Sequence, residues 1–124
     1  MFLEKESHMS EEILDLKEVM ERVQDDKELL LELFDIFITD YSEKRKLLEK
    51  AVATNDIDQV ISIGHSLKGA TGNISAKLMR GTFAKLESMG KSGSLANAKE
   101  SLALLDQQFG DLQTRMNQIR IEFK

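Results

Sequence analysis

No proline interrupts the 124 residues of this chain. A proline inside a helix costs roughly 3 kcal/mol, because it removes a backbone hydrogen bond and clashes with the preceding turn. A chain of this length without one is free to run as long, unbroken helices. The apolar residues say where those helices lie, since they recur at spacings of three and four almost throughout. No segment alternates with period two for long enough to form a strand. There is no internal repeat and no low-complexity tract.

Residues 1–11 are polar and unpatterned, and read as a flexible tail, partly vector-derived around Ser7-His8-Met9. Glu12 to about Val23 reads as a short amphipathic helix with Ile13, Leu16, Val19, Met20 and Val23 on one side. Asp25 or Asp26 is placed to cap a second helix that runs to about Thr54. Its stripe is Leu30, Leu33, Phe34, Phe37, Tyr41, Leu48, Ala51 and Val52. Leu29, Leu31, Ile36 and Ile38 widen the apolar surface of its first half, and the short first helix is expected to cover that excess. Thr54-Asn55-Asp56 is a turn and N-cap signal, and a third helix follows from about Ile57 to Ile74. After a turn near Ser75, a fourth helix runs to about Gly90, then a loop over Lys91-Ser92-Gly93-Ser94 and a last helix from Leu95 to Phe123. Four substantial helices with short connections predict an all-α fold over 12–124: an antiparallel up-and-down four-helix bundle with a short extra N-terminal helix.

Composition narrows the function. There is no cysteine, which excludes disulfides, thiolate metal sites and thiol nucleophiles. Of the two histidines, His8 falls in the tail, so no histidine metal site is expected. No apolar run approaches the roughly 20 residues of a membrane span, and the start lacks the pattern of a signal peptide. The expectation is a cytoplasmic protein. The net charge of −5 speaks against nucleic acid as a partner. That charge is uneven: the stretch from Gly64 to Lys91 carries +4 and the rest −9. Such a basic stretch is either a solvated face or a docking surface for an acidic pocket or a phosphoryl group.

His65 lies inside the basic stretch. At roughly 100° per residue, Ile57, Val60, Ile63, Leu67, Thr71 and Ile74 gather on one arc of the third helix, and His65 projects about 150° away from its centre. Asp58, Ser62, Gly69, Gly72 and Ala76 share its side, and none is larger than aspartate. The imidazole therefore stands clear of its neighbours. Surface decoration would explain the exposure but not Gly64, Gly69 and Gly72 close by, each of which costs a helix roughly 0.8–1 kcal/mol relative to alanine. Those costs suggest that something comes close to this surface.

The run IGHSLKGATGNISA from Ile63 to Ala76 resembles a histidine-containing phosphotransfer (HPt) domain, whose hallmark is His-x-Leu-Lys-Gly on a bundle helix. His65, Leu67, Lys68 and Gly69 match it in register. The likeness extends from about Leu30 to Ile119: Leu47 through Asp56 resembles the end of the family's second helix and its turn, Ala70 through Ile74 continues the pattern, and Leu86, Glu87 and Gly90 resemble the next helix. Ser75 departs from it, since many relatives have glycine there. Serine is strained at φ > 0, so this turn is expected to differ locally.

The resemblance implies a phosphorelay intermediate of two-component signalling. His65 would be the phosphoacceptor, Lys68 would steady phosphoryl oxygens, and Glu87 would hold the ring nitrogen that is not phosphorylated. Ser62, Gly69, Gly72 and Lys91 would meet the partner. The partners implied are response-regulator receiver domains and a hybrid sensor histidine kinase, with Mg²⁺ on the receiver and no cofactor on this chain. The chain has no glycine-rich nucleotide loop and no Walker lysine, so it reads as a carrier without kinase activity. Two other readings remain: a helical docking or inhibitory module that binds a receiver without carrying phosphate, and a small enzyme with His65 as general base.

Overall fold

The computed structural model describes residues 10–124, and these are helical wherever they are regular. Five helices follow one another: α1 (Leu16–Arg22), α2 (Lys27–Ala53), α3 (Ile57–Asn73), α4 (Lys77–Ser92) and α5 (Ala98–Glu122). Residues 10–13 form a further helical turn ahead of α1. Aspartates start three of the helices. Asp15, Asp26 and Asp56 accept the amides of Glu18, Leu29 and Gln59 at 3.1, 3.0 and 3.2 Å. Each satisfies an N–H that the helix cannot, worth about 1 kcal/mol.

The short connections bring each long helix back antiparallel to the one before it, and α5 closes against α2. Phe34, Leu48, Leu67, Phe83, Leu105 and Met116 are among the side chains fully removed from solvent at the centre. Tyr41 ties three helices together: its ring lies 4.3 Å from Phe109, 5.9 Å from Phe37 and 6.2 Å edge-on from Phe83. The result is the expected four-helix bundle with a short helix in front.

The N-terminal segment differs from its expected form. The single helix over Glu12–Val23 is broken at Leu14 and Asp15. Leu14 is fully buried, and Asp15 leaves the helical path to cap α1. Ser10 and Glu11, expected in a tail, belong to the turn before the break. The expectations for residues 1–9, His8 included, lie outside the described residues. Nor does α1 cover all the apolar excess of α2. Leu31 and Ile38 pack against the core, but Leu29 and Ile36 stay 39% and 63% exposed. Instead, α1 is fastened to the α3–α4 turn. The Asp15 amide donates to the Ser75 carbonyl at 3.0 Å, and the Ser75 hydroxyl donates to Glu18 Oε1 at 2.9 Å. Lys77 donates to Asp15 Oδ2 at 2.9 Å.

That turn forms without a glycine. Ser75 adopts φ +57° and closes the paired bonds of a glycine-type helix end, its amide to Gly72 and that of Ala76 to Thr71, at 3.1 and 2.9 Å. The bonds to α1 hold the strained serine in place.

Helices α3 and α4 are the most intimate pair. A β-carbon on Gly64 would already touch the backbone of α4, 3.5 Å from the Glu87 nitrogen and 3.6 Å from the Phe83 oxygen. One on Gly90 would stand 2.5 Å from Ile61 Cγ1. What approaches Gly64 is therefore the neighbouring helix, not an external partner.

Candidate functional site

The contact at Gly64 dictates what happens at the next residue. With Gly64 against the α4 backbone at Phe83–Glu87, His65 emerges at the outer edge of the α3–α4 seam, and Glu87 reaches the same edge from across it. Lys68 returns to that edge one turn along α3, and Lys91 one turn along α4. The His65 side chain is 72% exposed, whereas that of Glu87 is only 7% exposed.

All four groups meet on one carboxylate. His65 Nδ1 lies 3.2 Å from Glu87 Oε2. Lys68 Nζ lies 3.3 Å from Oε1 and 3.2 Å from Oε2, and Lys91 Nζ lies 3.1 Å from Oε1. The Lys91 ammonium, then Lys68 and the imidazole, hold the Glu87 carboxyl at about 2, well below its ordinary value, although burial pulls the other way. Glu87 is thus an anion at neutral pH. A carboxylate only accepts, so the hydrogen between the two groups sits on Nδ1. In the neutral ring the lone pair is then on Nε2, at the edge turned away from Glu87.

The structure brings His65, Lys68, Glu87 and Lys91 together. The remaining expected residues lie beside this cluster without touching the carboxylate. Ser62 and Gly69 are exposed on α3, about one turn before and after the histidine, and a β-carbon on Gly69 would meet nothing within 4 Å. Gly72 is half-buried, with Arg80 Nε 3.4 Å from where its β-carbon would stand. Beyond Gly69 the face falls into a cleft of about 610 Å³ lined by Lys68, Gly72, Ser75, Lys77 and Arg80 among others.

Two placements differ from the sequence reading. Lys91 is not in a loop: α4 continues to Ser92 and stops only at Gly93, whose φ of +82° suits glycine. Lys91 is consequently held inside the chain by Glu87. Lys68 is likewise held by Glu87. One further group beside the histidine carries no signal in the sequence. Lys44 of α2 donates to Ser66, the residue after His65, at 2.7 Å, and pairs with Asp40 at 3.1 Å. Nothing in the spacing along α2 marks Lys44, because its partner is 22 residues away on another helix.

Among the described residues, no group of histidines and carboxylates could hold a metal ion, and no helix is long and apolar enough to cross a membrane. No curated protein matches the chain. The fold is similar to the crystal structure of histidine-containing phosphotransfer protein B (HptB) from Pseudomonas aeruginosa PAO1, with a TM-score of 0.83 at 23% identity over 90% of this chain and 97% of that one. A model of the Hpt domain matches residues 32–120, a span that holds the histidine, both lysines and the glutamate. With that match covering most of its length, the chain belongs to the Hpt domain family.

Proposed function

We infer that the chain is a phosphorelay intermediate and that His65 carries the phosphoryl group on Nε2. One observation carries the reading: an exposed imidazole whose Nδ1 is held by a buried, ionised carboxylate, leaving its other nitrogen turned outward. In the forward step the Nε2 lone pair attacks the phosphorus of a receiver's aspartyl phosphate. The N–P bond forms as the P–O bond breaks, and the electron pair leaves with the aspartate carboxylate. The ring then holds a proton on Nδ1 and a phosphoryl group on Nε2, and so bears positive charge beside Glu87, which stabilises it. The reverse step delivers the group to another receiver aspartate. Mg²⁺ and the acidic pocket belong to the receiver. This chain supplies the nucleophile and its orientation, as a carrier without kinase activity of its own.

Lys68 takes a second role in this reading. Its ammonium, one turn from His65, is near enough to exchange Glu87 for phosphoryl oxygens once these arrive, while Lys91 stays on the carboxylate. Incubation with a phosphorylated receiver domain is expected to label the parent with an acid-labile, alkali-stable phosphate and to leave His65→Gln unlabelled. Labelling that persists in the variant would overturn the assignment, and a parent that binds receivers without being labelled would favour the docking-module reading.

A further inference from the structure

His65 stands between two flanks of opposite character. On the α4 side, Lys68 and Lys91 share one carboxylate, so that cluster keeps a positive charge. Arg80, exposed two turns before Glu87 on α4, adds another and has no ion-pair partner among the described residues. On the α2 side, the bond from Lys44 to Ser66 shows which edge of α2 adjoins α3 beside His65. At roughly 100° per residue, Ile36, Asp40, Glu43 and Leu47 then form one stripe on the shoulder of α2 beside α3. Ile36 is 63% and Leu47 57% exposed. Asp40 is tied to Lys44, but Glu43 is exposed with no ion-pair partner among the described residues. A shallow hollow there is lined by Asp35, Ile36, Thr39, Asp40 and Glu43.

Resting on the phosphotransfer reading, we propose that this face takes its receiver in one orientation, with an acidic edge of the partner against Arg80 on α4 and an apolar, basic edge against Ile36, Glu43 and Leu47 on α2. Charge complementarity is the reason. A partner turned by half a revolution would set acid against Glu43 and base against Arg80, and like charges facing each other penalise the wrong pose while opposite charges speed the right encounter. The two exposed isoleucine and leucine side chains supply apolar area on one flank only, which reinforces the same choice.

The test compares the parent with Arg80→Glu and Glu43→Lys, both at exposed positions outside the His65–Glu87 cluster. Phosphoramidate serves as a small donor that needs no docking: its P–N bond breaks, ammonia leaves with the proton, and the phosphoryl group passes to His65. All three proteins are expected to load equally from phosphoramidate. From the phosphorylated receiver domains of the source organism, each reversal is expected to slow transfer about tenfold at low salt and to approach the parent at high salt. A reversal on either flank that transfers at the parent's rate would overturn the two-sided surface. So would a parent that sediments as a dimer dissolved by either reversal, since the flanks would then be matched to a second copy. A parent that phosphoramidate does not label on His65 would instead bring down the phosphotransfer reading itself.

Discussion

Glu87 gathers three donors on two oxygens, and each of the three constrains a different quantity. Lys91 does most to lower the carboxyl below its ordinary value, against the pull of burial. His65 fixes the direction, since the carboxylate can meet only a protonated Nδ1. In the phosphotransfer reading Lys68 is the group that changes partner. Glu87→Ala is therefore expected to release the imidazole into a mixture of tautomers, visible in its ring ¹⁵N shifts, where the parent shows hydrogen on Nδ1 alone. Transfer from a receiver is expected to slow by roughly tenfold to a hundredfold, because the ring loses the anion beside its developing charge. A tautomer ratio unchanged by that substitution would mean that the carboxylate does not orient the ring.

Between helices, the decisive contacts are made by residues without side chains, and the glycines do different things. Gly69→Ala puts a methyl into open space on a helix and is expected to leave stability unchanged or raise it by up to about 1 kcal/mol. Gly90→Ala drives a methyl into Ile61 and is expected to cost about 1–2 kcal/mol net of the helix gain. Chemical denaturation of the two variants beside the parent checks both, and the opposite order would refute the assignment of packing to one glycine and openness to the other. The sequence could not tell them apart. Spacing predicts which face of a helix a glycine occupies, but not whether that face meets another backbone, so by spacing alone Gly64 is a place for a visitor. The helices themselves were legible because aspartate caps and apolar stripes are local signals. The break at Leu14-Asp15 was not, since the Asp15 amide there is taken by the carbonyl of the distant Ser75. The αL serine was not legible for the same reason: the group that holds it, Glu18, lies 57 residues away.

At the scale of the whole molecule, carboxylates hold two separate joints, α1 to the α3–α4 turn and α3 to α4. The Glu87 carboxyl is lowered to about 2 from an ordinary 4.5 by Lys91 first, Asp15 is lowered chiefly by Lys77, and Glu18 chiefly by the Ser75 hydroxyl. A depressed folded-state value means stabilisation that is complete above the ordinary carboxylate range and lost as pH falls through the folded value. Thermal melts between pH 5 and about 2 are thus expected to drop more steeply for the parent than for Glu87→Gln, and equal slopes would refute a stabilising role for the ionised Glu87. His65, Lys68 and Glu87 were legible as a site because the family pattern places them. Glu87 beside the ring was expected from that pattern, but Lys68 on the same carboxylate was not, because that contact depends on the seam between helices. That seam has a kinetic meaning. At Gly64 the two helices lie so close that even a β-carbon would meet the other backbone, and this holds the roots of the imidazole and the carboxylate at a fixed spacing. Imidazole and carboxylate wait preorganised, and in the phosphotransfer reading the one group left to move when a partner comes is the Lys68 ammonium.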